Sequence, residues 1–346
     1  MTDKGYMMEE LLRRYFLSAG YYVTRGVPFI YEGFSITDID LWLYGRTSSV
    51  SREIAIVDIK NKKTPQVIER IFWVKGLQQA VNATNAMVAT TDKRQEVKDF
   101  GRELGVLVLD GNFLNKLSNS IEDMKNRLSD EDFIHKIEEY SLGKLDGDWK
   151  GRYLESKSLL SYGLSFDSCN QWLEHARFFA DQVLLKPTQK ETALRCFYLI
   201  CSYIAISIDF ILKELSFLEV TERSRLISEG LTYGAKGKTG FNRMLRMSLS
   251  ILEEYTTNGA ATSNQARNNI EKELSKLPTN ILGEFFGKSD IVKSIFNIGK
   301  DLESLAMKTQ FTTHLNSSLE LKGLIGALLD YWNIERMHFN EIIQNN

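Results

Sequence analysis

The sequence predicts an α/β domain with a mixed central sheet flanked by helices in its first third, followed by an all-α domain. Two observations carry this. Residues 38–60 contain an alternating strand and then a strongly apolar one, with helical and strand patterns following in turn. From about residue 152 the apolar spacing is that of helices almost throughout.

The elements justify themselves in order. Met8, Leu11, Leu12, Tyr15 and Phe16 form a helical stripe across residues 5–19, closed by Gly20. Tyr21–Val23 and Val27–Ile30 read as short strands around Gly26-Val27-Pro28. In Asp38–Tyr44, Ile39, Leu41 and Leu43 alternate with Asp38, Asp40, Trp42 and Tyr44. Gly45–Ser51 is a turn, and Glu53–Lys60 is a strand. A helix is expected from Pro65 to about Ala83, then a strand at Ala86–Ala89. Thr90-Thr91-Asp92 is expected to cap a helix running to about Leu104, and the last strand, Val106–Leu109, stops at Asp110-Gly111. The domain is expected to span residues 1–118, with a polar helical linker at 119–150 and the all-α domain at 151–346.

Composition limits the functional classes. Of the 346 residues, 43% are hydrophobic and 25% charged, the balance of a soluble globular protein. A net charge of −2 gives no global basic field, although a local patch is enough to hold phosphates. Cys169, Cys196 and Cys201 have neither a disulfide framework nor zinc-ligand spacing and read as reduced core thiols. The polar, acidic opening is unlike a signal peptide, and the apolar run Phe197–Leu212 is interrupted by Asp209. A cytoplasmic protein with no membrane partner is expected.

The chemistry-bearing residues lie in the strands. Phosphodiester hydrolysis uses one or two divalent cations, and magnesium needs converging oxygen ligands. Asp58 and Lys60 are two apart on one strand and share a face, while Ala55, Val57 and Ile59 pack on the other. Asp40 lies on the preceding strand, where antiparallel pairing can set it beside Asp58. The chain holds six acid-any-lysine tripeptides, and only the one ending at Lys60 lies on an apolar strand that follows a strand bearing an acid. Lys62, Lys63, Arg70 and Lys75 gather downstream and are expected to contact phosphate.

The stretches KGYMMEELLRRYFLSAGYYVTR, TDIDLWL and AIVDIKNKK resemble the PD-(D/E)XK, restriction-endonuclease-like nuclease superfamily. The opening is similar to the Holliday-junction-resolvase branch. The run VIERIFWVKGLQQAVNATNAMVATTDKRQEVKDFGRELGVLVLDG is similar to the Mrr-type restriction branch. The resemblance covers residues 4–117. It implies Glu9, Asp40 and Asp58 as metal-binding and catalytic acids, Lys60 as the catalytic lysine, and the Ile59 backbone carbonyl as a further ligand. The usual proline before the first aspartate is absent, so Asp38 stays open as an alternative to Asp40. Glu10 competes with Glu9, and the resemblance alone favours Glu9. Gln78 sits on the helix where related nucleases often place a polar residue near the metal.

The implied activity is a Mg²⁺-dependent endonuclease, with Mn²⁺ able to substitute, acting on DNA in restriction, defence or repair. Its helical domain would support a homodimer or a partner complex. The alternatives are a catalytically silent nuclease-fold module that binds nucleic acid or protein, and a structure-selective resolvase. Gly237-Lys238-Thr239 lacks the earlier glycine and the leading strand of a P-loop. His135, His175, His314 and His338 lack metal spacing.

Overall fold

A computed structural model describes the backbone of residues 3–60, 66–120, 126–140, 143–256 and 258–344. The first helix, α1 (Asp3–Ser18), leads into β1 (Tyr22–Tyr31), β2 (Phe34–Arg46) and β3 (Arg52–Lys60). There follow α2 (Val67–Ala80), β4 (Asn85–Thr90), α3 (Gln95–Glu103), β5 (Val106–Leu109) and α4 (Gly111–Ser120). The five strands lie in sequence order, with β1, β2 and β3 antiparallel and β3, β4 and β5 parallel. The expected mixed sheet between helices is therefore present.

Two details differ from expectation. β1 runs unbroken through Gly26-Val27-Pro28, because it is the edge strand and the missing proline N–H costs no ladder bond there. The cap expected at Thr90-Thr91-Asp92 forms a separate turn. Asp92 accepts the Arg94 amide at 2.9 Å, Thr90 accepts the Asp92 amide at 3.2 Å, and α3 begins only after Arg94.

The sheet is covered on both faces. Leu41, Leu43, Ala55, Val57, Ile59, Met87 and Ala89 pack under Leu12 and Phe16 of α1 and Leu114 and Leu117 of α4. On the other face, α2 brings Val67, Ile71, Val74 and Leu77 against Ile54, Ile56, Ala86 and Val88.

The rest of the chain is helical. It comprises α5 (Asp130–Tyr140), α6 (Trp149–Tyr162), α7 (Phe166–Leu185), α8 (Lys190–Leu215), α9 (Val220–Tyr233) and α10 (Gly237–Tyr255). It continues with α11 (Gly259–Ser275), α12 (Thr279–Gly287), α13 (Ser289–Met307), α14 (Leu319–Tyr331) and α15 (Arg336–Gln344). Its core is continuous with the second face of the sheet through Tyr22, Val27, Ile39, Trp42 and Tyr44. α5, inside residues 119–150, contributes buried Phe133 and Ile137 to that core. α8 is the spine. Among the described residues its segment is the one long and apolar enough to span a bilayer, yet most of it is buried inside the protein.

Polar contacts fix the helices to the sheet. Ser202 and Asp209 of α8 meet the hydroxyls of Tyr22 and Tyr44, each at 2.6 Å. Asp209 also receives Arg46 at 2.9 Å and Arg52 at 2.6 Å, a buried acid with two guanidinium partners. The three cysteines are free and buried, and burial pushes the Cys169 thiol up to about 12.

Candidate active site

The candidate site lies where β2 leaves β3. The two strands pair from Arg46↔Arg52 to Leu41↔Val57, and one further step of that register would set Asp40 against Asp58. The described pairing stops there. β2 continues with β1 alone, as a ribbon closed by Glu32 and Gly33, both with positive φ as a tight two-residue turn requires. Gly26, at φ +57, lies between the pairs Arg25↔Leu41 and Val27↔Ile39, directly across from Asp40. The Asp40 carboxylate accepts the Ile59 amide at 2.6 Å, a backbone donor that the departing strand no longer meets.

Asp58 is buried beside this fork on the α2 face. Arg70 of α2 spans both of its oxygens, with Nε donating at 2.8 Å and an Nη donating to the other oxygen. Lys60, half-buried, pairs across the ladder with Thr90 at the C-terminal end of the parallel strands. This is the sheet edge where α/β folds place their ligands. Glu9 of α1 accepts from Arg25 Nε at 2.7 Å and lies close enough to feel the Asp40 charge.

Electrostatics separate these acids from ordinary surface carboxylates. Burial raises the Asp40 carboxyl above its usual range, against the lowering by the Ile59 amide and by the Lys60 and Arg70 charges. Burial also raises Glu9, against Arg25, and Asp40 adds repulsion. Burial penalises the charged form of both acids, and a bound cation would favour it. Two aspartates at a strand fork, with the carbonyl of Ile59 next to Asp58 in the chain, are hard oxygen donors suited to Mg²⁺ or Mn²⁺. In this conformation the counter-charges come from Arg25, Arg70 and Lys60, and no group of three ligating side chains converges among the described residues.

The other expected residues divide plainly. Asp38 is exposed on the ribbon, opposite Pro28, and lines a cavity of about 580 Å³ with Arg25, Glu131 and Lys157. Gln78 is not brought to the fork. Its amide donates to the Thr84 carbonyl at 2.8 Å, and Thr84 sits beside Ile54 at the other end of β3. Lys75 points the same way, towards Gly105 ahead of β5. Arg70, expected to reach phosphate, is turned onto Asp58. Lys62 and Lys63 lie outside the described residues.

The sequence reading missed Arg25. Beyond Glu9, it binds Glu10 at 3.0 Å and Glu131 at 2.7 Å. Nearby, buried Arg13 binds Glu10, Asp130 and Glu303, and Lys157 also reaches Asp130. Burial alone would raise the Asp130 carboxyl, but Lys157 and Arg13 hold it well below the usual carboxylate range. The network ties α1 and β1 to α5, α6 and α13. Its one signal in the sequence is an arginine inside an otherwise apolar strand, which must find an acid.

The segment around Gly237 is no phosphate cradle. Asp167 accepts the Ala235 amide at 2.9 Å, and Glu229 accepts the Lys238 amide at 3.3 Å, so carboxylates hold the donors a phosphate would need. No family model matches the chain, and neither the curated proteins nor the solved structures contain a match to it.

Proposed function

We propose that the chain is a Mg²⁺-dependent nuclease that hydrolyses phosphodiester bonds, most naturally in DNA, with a restriction-endonuclease-like unit in residues 1–118. The observation that carries this reading is the fork itself. Asp40 and Asp58 come from two adjacent strands to the point where those strands part, with Lys60 on the same face and at the same edge.

Asp40, Asp58 and the Ile59 carbonyl would hold the cation, and Glu9, steadied by Arg25, would lie beside them. A bound divalent cation neutralises phosphate charge and acidifies water. Lys60 steadies the attacking oxygen or the charge developing on phosphate. Arg70, released from Asp58, is then a phosphate-binding guanidinium. The helical half, from residue 151, holds β1 and β2 in place through Tyr22, Tyr44 and Asp209 and so fixes the fork.

A second reading rests on the Arg70–Asp58 pair. If that arginine is a permanent counter-ion, the chain is a silent nuclease-fold module that binds nucleic acid or a protein without cutting. Supercoiled, linear and branched DNA and RNA, each incubated with the full chain and Mg²⁺ or Mn²⁺, separate the two. Metal-dependent cutting that is lost in Asp58→Ala supports the nuclease, and preferential cutting of branched DNA makes it a resolvase. Binding without cutting on every substrate favours the silent module and overturns the first reading.

A further inference from the structure

We propose that α10 is a self-association surface, on which a second copy of this chain docks antiparallel about a two-fold axis. Along α10, Met244, Met247, Ile251 and Tyr255 are 55%, 63%, 60% and 77% exposed. At about 100° per residue these four fall within an arc of roughly 80°, a single stripe. Phe241, Leu245, Leu249 and Leu252, on the neighbouring arc, are half-buried or buried. One half of the helix's apolar surface is therefore covered by its own chain, and the other half stands in solvent. A stripe of this kind marks an interface.

The charges select the occupant. Arg243 lies at the N-terminal end of the stripe and Glu254 at the C-terminal end, on the same flank by helical arithmetic. An antiparallel second copy centred near Leu249 sets Met244 against Tyr255, Met247 against Ile251, and Arg243 against Glu254. Every pair occurs twice, as an isologous interface requires. A parallel partner would hold Arg243 and Glu254 at opposite ends of the pair and leave both charges unmatched. Within the described residues Arg243 and Glu254 carry no ion pair in the single chain.

Sedimentation of the full chain tests this. The expected result is a dimer, twice 39.7 kDa, at micromolar concentration. Met247→Glu should give a monomer with an unchanged circular dichroism spectrum, because the Met247 side chain is exposed in the single chain. Arg243→Glu should weaken dimerisation about tenfold, since the lost pair recurs twice, and Arg243→Glu with Glu254→Arg should restore it. A wild-type monomer overturns the proposal. So does a dimer indifferent to Met247→Glu, or a double variant as weak as the single. Binding of the monomer to anionic lipid vesicles, lost in Met247→Glu, would assign the stripe to a membrane surface instead and also overturn it.

Discussion

Arg70→Gln tests whether the guanidinium on Asp58 stands in the place of a cation. The pair buries Asp58 almost fully, while the Arg70 side chain keeps 26% of its exposure. Breaking a fully buried pair costs about 3–5 kcal/mol and a surface pair less than ~1 kcal/mol, so about 2 kcal/mol suits this intermediate case. Without divalent ions the variant should therefore melt several degrees lower, because Asp58 is left buried without a partner. A cation entering the wild type must break that pair, whereas in the variant it meets a bare carboxylate. Removing about 2 kcal/mol of competition should tighten Mn²⁺ or Mg²⁺ binding by up to ~30-fold. Calorimetric titration reads the affinity, and melting with and without the metal reads the linkage. Saturating metal should close most of the melting gap. Unchanged or weaker affinity, with the same gap in both conditions, would refute the reasoning.

Four further substitutions follow from the fold. Asp209→Asn strips the shared charge from Arg52, 1% exposed, and from Arg46, 14% exposed. It should cost about 3–5 kcal/mol, read as a lower urea midpoint at constant slope, and a loss below ~1 kcal/mol would contradict the anchoring role. His314, buried against Tyr198 with Nδ1 at 2.8 Å from its hydroxyl, is held down to about 4 from 6.5 by burial and by Lys322. The fold keeps this histidine neutral, so its contribution is complete above pH 6.5 and fades as pH falls towards about 4, by about 3 kcal/mol in all. The difference between wild type and His314→Gln in urea unfolding should shrink over that window, and a constant difference would argue against it. Gly26→Ala should cost about 1–2 kcal/mol from backbone strain alone. The new Cβ has room, its nearest neighbour being Lys157 Nζ at 3.8 Å. Gly76→Ala, in mid-helix with open space, should instead stabilise by about 0.5–1 kcal/mol, and equal effects at both sites would contradict the φ argument.

Much of the sheet was legible because its signals are local. Alternation at Asp38–Tyr44, the apolar run at Glu53–Lys60 and the stop at Asp110-Gly111 all fall inside the observed elements or at their ends. Asp40, Asp58 and Lys60 followed from strand periodicity and pairing, which the register bears out as far as Leu41↔Val57. What escaped is tertiary. No spacing rule tells that Arg70, twelve residues after Asp58, folds back onto it, or that Gln78 and Lys75 face the far end of β3. Gly26 and Pro28 read as a break because local punctuation does not reveal that a strand lies at a sheet edge. The close packing of the helices on β1 and β2 was equally invisible, since buried tyrosines and an aspartate in α8 look like any helical core.

The most direct test is Mn²⁺ binding and plasmid nicking measured together on wild type, Lys60→Ala and Asp58→Asn. A metal-dependent site at the fork predicts that Lys60→Ala still binds Mn²⁺ but fails to nick, and that Asp58→Asn loses both. Nicking undiminished in either variant, or Mn²⁺ binding unaffected by the loss of the Asp58 charge, would contradict it.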